Sequence, residues 1–245
     1  MLTFRSALYN LAFYLNLLVW LIIAIPTFFL PRRFFMRMAR RWGHSCVFLL
    51  KLIAGTDVHW SGLEKLPKGG CLVAAKHQST WETFALFTIL DDPMFVLKRE
   101  LMLIPLFGWF LVKGAMLPVR RGQTGRDALV SLGQSAKEAI AAGRQLVIFP
   151  EGTRRPAGAP PDYKSGVAHL YAATGAVCVP IALNSGVYWS RRALKRRPGT
   201  IKVEILDPIA PGMRPKAFLA ELRTRIEEAS MRLFDEGRRE IARQA

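Results

Sequence analysis

From residue 57 onward the chain is divided by apolar runs too short to be ordinary helices. Cys71–Ala75, Leu146–Phe149 and Val177–Leu183 show no polar alternation, so a strand built from any of them is apolar on both faces. Such strands need a sheet with helices covering each side. Asp57–Trp60, Met94–Leu97, Met116–Val119 and Ile201–Ile205 read as further strands. Helical stretches alternate with them: Trp81–Leu90, Arg126–Ala142 and Gly166–Thr174. In the second, Leu129, Leu132, Ala136 and Ile140 recur at helical spacing. Pro215–Ala245 reads as a closing amphipathic helix with Leu222, Ile226, Ala229 and Leu233 on one stripe. The expectation is an α/β fold, a central sheet flanked by helices, over residues 56–245.

Residues 1–55 follow a different rule. Ala7 to Leu30 carries no charge and is interrupted only by Asn10, Asn16 and Pro26. As a helix it reaches roughly 36 Å, enough to cross a hydrocarbon core. The run is too long for a signal-peptide core, and no small-x-small cleavage site follows it. Arg32, Arg33, Arg37, Arg40 and Arg41 come after it and only Arg5 comes before, a bias that places the rest of the chain in the cytoplasm. Phe34, Phe35, Met36 and Met38 lie among those arginines, as in a segment at lipid headgroups. Cys46–Ala54 is too short to span and reads as an interfacial helix. Two arrangements fit this N-terminal hydrophobic helical anchor: one span plus a surface helix, or a helical pair dipping into one leaflet.

Charge narrows the partners. Of 245 residues, 35 are Lys or Arg and 18 are Asp or Glu, a net charge of +17, while 51% are hydrophobic. A surplus that large calls for an anionic partner. The apolar N-terminus and the lack of a basic nucleic-acid motif favour membrane lipid over nucleic acid. Trp189–Arg197 concentrates cations behind an interfacial-type aromatic, suited to lipid heads or an acidic carrier. The three cysteines, Cys46, Cys71 and Cys178, are scattered and odd in number, which indicates buried thiols in a reducing compartment. They and the four histidines show no metal spacing, and no dinucleotide or Walker fingerprint occurs, so no cofactor is expected.

Two segments carry chemistry. Phe149-Pro150-Glu151-Gly152-Thr153-Arg154 follows a strand and gathers a glycine, a hydroxyl, a carboxylate and a cation on one turn, an anion-binding loop. Lys76-His77-Gln78-Ser79-Thr80-Trp81-Glu82 follows another strand. Ser79 with Glu82 is a capping-box pattern, so a helix begins there and His77 lies in the turn before it. On one regular helix His77 and Glu82 would point about 140° apart, but a turn feeding a helix brings the carboxylate back to the imidazole. A carboxylate on one ring nitrogen frees the other to act as a base. Read more plainly, Glu82 only caps the helix and His77 is a satisfied turn histidine. A base and a phosphate clamp at one sheet edge suit group transfer onto a phosphorylated alcohol. Arg154 offers a planar fork for a phosphate monoester, and Gly152 a close backbone approach. Glu151 would repel phosphate and is expected to orient Arg154 or the loop. Arg120 is the next candidate cation. Arg121, Arg155 and His169 read as surface or structural residues, and Arg155–Pro161 as a mobile flap.

The order of four segments carries a resemblance. His77 with Glu82, then Gly114–Arg120, then Phe149–Arg154, then Val179-Pro180-Ile181, resembles the ordered blocks of the glycerophospholipid acyltransferase family, in particular its bacterial 1-acylglycerol-3-phosphate acyltransferases. The third block is the specific one. The family's usual acid in the first block is Asp, whereas this chain has Glu82, which keeps the charge on a stem one methylene longer. The resemblance implies acyl transfer from an acyl thioester, on CoA or an acyl-carrier protein, to the 2-hydroxyl of lysophosphatidic acid, forming phosphatidic acid. It implies catalytic roles for His77 and Glu82 and substrate binding by Lys98, Arg120, Glu151, Gly152, Thr153 and Arg154. Without a Gly-x-Ser-x-Gly elbow, direct attack of the alcohol is expected. Two alternatives stand beside it: acylation of another lysolipid such as lyso-ornithine lipid, and a non-catalytic membrane protein that binds anionic lipid.

Overall fold

The computed structural model describes residues 1–120 and 126–244. Arg121, and Ala245 at the end of the closing helix expected from sequence, lie outside them. In chain order the elements are α1 (Leu2–Ile23), a 3-10 turn (Ile25–Phe29), α2 (Arg32–Leu49) running into a π-helical turn (Leu50–Ala54), β1 (Thr56–Ser61), β2 (Cys71–Ala75), α3 (Trp81–Ile89) and β3 (Pro93–Lys98). Then come a 3-10 turn (Arg99–Leu103), α4 (Phe107–Lys113), β4 (Leu117–Val119), α5 (Arg126–Ala141), β5 (Gln145–Ile148), α6 (Gly166–Thr174), β6 (Cys178–Leu183), α7 (Ser185–Tyr188), β7 (Gly199–Ile205) and α8 (Pro215–Gln244).

One seven-stranded sheet runs β1-β7-β6-β2-β5-β3-β4. The four neighbour pairs from β6 to β4 are parallel, and β7 is antiparallel to β6. β2, at the centre, is fully buried along its length. Its residues alternate between two cores. Cys71, Val73 and Ala75 face α1, α2 and α3, with Phe13, Met36 and Phe84 in that layer. Leu72 and Ala74 face α5, α6 and α8, with Ala136, Leu170 and Leu222. The stripe expected on α8 is buried, and His169 ties α6 to α5 through Leu129 O at 2.8 Å.

This winding creates the crevice. The chain leaving β2 passes over one face through α3, and the chain leaving β5 passes over the other through α6. Neighbouring strands whose exits diverge leave an open groove at their carboxyl ends, where ligands of open α/β sheets bind.

The N-terminal helices are seated on this unit. Along α2, Met36, Ala39, Gly43 and Cys46 form one buried stripe, continued by Leu50 and Ala54. A Cβ at Gly43 would lie 2.7 Å from the Phe84 carbonyl oxygen, so glycine lets α2 approach α3. Cys46–Ala54 is therefore the end of a helix packed on the core, not a separate interfacial helix. On α1, polar side chains turn inward: Arg5 Nε donates to Ile53 O at 2.7 Å and Asn16 Nδ2 to Ser45 Oγ at 2.9 Å. Large apolar residues turn outward, among them Leu11, Leu15, Leu18 and Ile22, each more than half exposed. Leu2–Phe29 is long and apolar enough to cross a membrane.

The basic loop after β6 also differs from the sequence expectation. Trp189 is buried, edge-on to Tyr9 and Phe13, and so is not an interfacial aromatic. Arg196 is buried too. It stacks over Trp189 at 4.0 Å and donates to Asn10 Oδ1 at 2.7 Å, and its backbone N–H bonds Ser6 Oγ at 2.9 Å. Burial lowers its guanidinium pKa to about 10, so it stays charged at neutral pH. These residues clasp α1, while Arg192, Lys195 and Arg197 remain at the surface.

Candidate active site

The turn after β2 and the turn after β5 meet at the crevice. His77 follows the last β2 residues, and its ring stacks on Phe149 at 4.0 Å and 15°. Glu82, on the first turn of α3, is fully buried. Its Oε1 accepts the backbone N–H groups of Gln78 at 2.5 Å and Ser79 at 2.8 Å, and lies 3.4 Å from His77 Nδ1. Ser79 Oγ accepts from the Trp81 N–H at 3.2 Å. Only the return half of a capping box forms, Glu82 Oε1 taking the Ser79 N–H, because Ser79 Oγ takes the Trp81 N–H rather than that of Glu82, and the same carboxylate faces the imidazole. The capping contact is present, and His77 is not a satisfied turn histidine, since its buried Nδ1 has no hydrogen-bond partner among the described residues. Its other oxygen, Oε2, accepts from Ser185 Oγ at 3.1 Å. The His77–Glu82 contact is ion-pair distance, not an aligned hydrogen bond, a looseness common in sites without substrate.

The second turn is joined to the first. Arg155 N donates to His77 O at 2.8 Å, and Arg154 Nη1 donates to Thr80 Oγ1 at 2.5 Å. Arg191 Nη1, from the basic loop, donates to Arg154 O at 2.9 Å. Gly152, at φ +62°, makes the turn in a left-handed conformation that favours glycine, and it is exposed, with Thr153 half-buried beside it. The segment after Arg155 closes on itself through Arg155 Nη2 to Pro160 O at 3.0 Å, and Gly158 abuts the Phe234 ring of α8.

Of the two roles expected of Glu151, orienting Arg154 or the loop, its contacts are with the loop's support and not with Arg154. Glu151 is buried, and its partner is Lys76. Lys76 Nζ lies 3.0 Å from Glu151 Oε1 and 2.6 Å from Glu227 Oε1 on α8, and Tyr163 OH donates to the same Glu227 oxygen at 2.9 Å. Burial raises the Glu151 carboxyl pKa, and the Lys76 charge opposes the rise. Glu151 therefore steadies the turn from beneath through Lys76.

Lys98 closes β3 and is exposed, in register with Val119, and the exposed Arg120 follows it at the end of β4. Both lie on the carboxyl edge that carries His77. Lys98 is two strands from β2 and β4 is three, about 10 and 14 Å across the sheet. Among the described residues, the contacts bring together His77, Glu82 and Arg154. Glu151 is held beneath them, and Lys98 and Arg120 stand along the rim.

Lys76, Thr80, Ser185 and Arg191 were not singled out from sequence. Only Lys76 left a signal, a charge at the end of a run that is otherwise wholly apolar. A buried lysine there requires an acid.

A sequence profile of the acyltransferase family matches residues 57–184, just over half of the chain, including His77, Glu82 and Arg154. A 1-acyl-sn-glycerol-3-phosphate acyltransferase of Pseudomonas aeruginosa is 37% identical over 78% of this chain and 74% of its own length. The chain belongs to the acyltransferase family. A chloroplastic 1-acyl-sn-glycerol-3-phosphate acyltransferase of Brassica napus is 29% identical, over 61% of this chain and 44% of its own length. The fold is that of the crystal structure of PlsC, the 1-acyl-sn-glycerophosphate acyltransferase from Thermotoga maritima. The TM-score is 0.75 at 24% identity, covering 96% of this chain and 97% of that one. The match extends to the N-terminal helices as well as the sheet.

Proposed function

We propose that this acyltransferase transfers an acyl chain from a thioester to the 2-hydroxyl of 1-acyl-sn-glycerol-3-phosphate, giving phosphatidic acid. The observation that carries the reading is a histidine backed by a buried carboxylate, in a turn hydrogen-bonded to the turn of a phosphate-competent arginine. The similarity to the Pseudomonas enzyme supports the acceptor. With Nδ1 turned to Glu82, His77 Nε2 takes the proton of the acceptor hydroxyl. The hydroxyl oxygen attacks the thioester carbonyl, the tetrahedral centre collapses, the C–S bond breaks, and the imidazolium returns its proton to the leaving thiolate. Arg154 fixes the acceptor's phosphate monoester, with Lys98 and Arg120 completing a cationic rim. Gly152 and Thr153 shape the turn, and Glu151 holds it through Lys76.

The chain works at the cytoplasmic surface of a membrane. The α1 outer face supplies the apolar contact, and its bonded inner face favours a helical pair in one leaflet over an isolated span. Purified protein in detergent, offered a panel of lysolipids and both CoA and carrier-protein thioesters, tests the reading. His77→Ala is expected to lower turnover on the order of 10²–10⁴-fold in a folded protein. Wild-type turnover in that variant, or a preference for lysolipids lacking a phosphate monoester, would overturn it.

A further inference from the structure

Residues 101–112, Leu-Met-Leu-Ile-Pro-Leu-Phe-Gly-Trp-Phe-Leu-Val, carry no charge and follow the charged run Lys98-Arg99-Glu100 at the site's edge. Their inner side chains hold the segment in place. Phe110 is buried and stacks on Phe28 at 4.6 Å and on Phe35 at 5.4 Å. Lys113 Nζ donates to Leu30 O at 2.6 Å and Phe28 O at 3.2 Å. Leu106, at φ +62°, holds a conformation that L-residues other than Asn and Asp rarely adopt, so the turn before α4 is built under strain.

The outer side chains have no cover. Leu103 is 80% exposed, Trp109 60% and Val112 62%, and Phe29, at the adjoining tip of the α1–α2 turn, is 89% exposed. Trp109 and Val112 are three apart on α4 and share one face. Single exposed apolar residues are ordinary, but a continuous apolar face rimmed by Lys98, Arg99, Glu100 and Lys113, three cations to one acid, is an interaction surface.

We propose that the Leu103–Val112 segment is a second membrane wedge, contributed by the catalytic half itself, that enters an anionic lipid surface beside the tip of the N-terminal helical pair. It rests on the reading that α1 lies in a membrane. Three observations select lipid. The face is continuous with the apolar face of α1 through the Phe28–Phe110 stack and the Lys113 bonds. The flanking charges are net cationic, Lys98, Arg99 and Lys113 against Glu100. Trp109 is the amphipathic ring that favours the interface. The consequence for the site is positional: with the wedge among acyl chains, the Lys98 end of β3 stands at phosphate level.

The test uses the full chain in nanodiscs of anionic lipid. Trp109→Cys, Phe29→Cys and, as a control on exposed α5, Val130→Cys are each labelled with an environment-sensitive fluorophore. The native cysteines are buried and do not compete. Nitroxide on the lipid acyl chains is expected to quench positions 29 and 109 and spare 130. Quenching at 29 but not at 109 overturns the wedge and leaves the membrane reading standing, whereas quenching at neither removes both. Self-quenching at 109 that rises with protein density, without lipid quenching, would assign the face to a second copy and overturn the proposal. Leu103→Glu, at a position too exposed to disturb folding, is expected to weaken vesicle binding about tenfold. Its turnover on a detergent-dispersed acceptor should be unchanged. An equal loss in both assays would place Leu103 in the substrate path instead.

Discussion

At the scale of residues, Glu82 does two jobs that substitution can separate. Its Oε1 caps α3 through Ser79 and faces His77 Nδ1. Glu82→Gln keeps an oxygen for the backbone donors and loses the charge. Turnover is therefore expected to fall on the order of 10²-fold or more while the fold loses about 1 kcal/mol or less. Glu82→Asp, the family's usual acid on a shorter stem, should retain part of the activity. Wild-type turnover in Glu82→Gln, at a matched thermal midpoint, would reduce Glu82 to a cap. Lys76 makes the opposite case, a charge whose role is structural. Lys76→Met strands the buried Glu151 carboxylate and is expected to cost about 3–5 kcal/mol in urea unfolding. Pairing it with Glu151→Leu should recover most of that loss. No recovery would show that Glu227, not Glu151, is the partner that matters.

At the scale of elements, the join between α2 and the sheet is electrostatic and pH-dependent. Asp92, just before β3, receives both Arg32 guanidinium nitrogens, at 2.5 and 2.6 Å, and lies 3.5 Å from Arg144 Nε. Burial alone would raise its pKa, but the Arg32 bonds and the Arg144 charge outweigh burial and hold it below the usual carboxylate range. A folded-state pKa below the unfolded one contributes stability that is complete above about pH 4 and is lost as pH falls through the folded value. Asp92→Asn should therefore melt below the parent at pH 7, and the gap should narrow as pH drops below about 4. A constant gap would mean the contact is steric. The same elements show what sequence pattern conveys. The strands were legible because a buried parallel sheet demands unbroken apolar runs, and α5, α6 and α8 because their stripes repeat. The α4 helix was hidden, since Leu101–Val112 is apolar all round and broken by Pro105 and Gly108, which leaves no period to read. The α2 helix was obscured because arginines that serve Asp91 and Asp92 looked like headgroup cations.

At the scale of the whole molecule, the placement of His77, Glu82 and Arg154 at one crevice could be read because each is local to a strand end. Their supports could not. Ser185 meets Glu82, Arg191 meets Arg154 and Asn10 meets Arg196 only after the chain has closed, and no local pattern announces such partners. Those distant contacts tie the apolar N-terminus into the fold. Tyr9 and Phe13 fill the space beside Trp189 and Phe84, Ser6 accepts the backbone N–H of the buried Arg196, and Asn10 accepts from its guanidinium. Deleting residues 1–31 thus does more than detach the protein from a bilayer. It empties an aromatic core at about 3–5 kcal/mol per lost ring, and it leaves a buried guanidinium without its side-chain acceptor. It also removes the carbonyls of Phe28 and Leu30 that hold Lys113. Set against a typical net stability of about 5–15 kcal/mol, these losses reach the scale of the whole fold. The truncated chain is expected to aggregate or to lack a cooperative melt even in detergent, where no membrane is needed, and to expose Cys46 to thiol reagents. A soluble truncate that melts like the parent and keeps Cys46 protected would show that α1 is only an anchor.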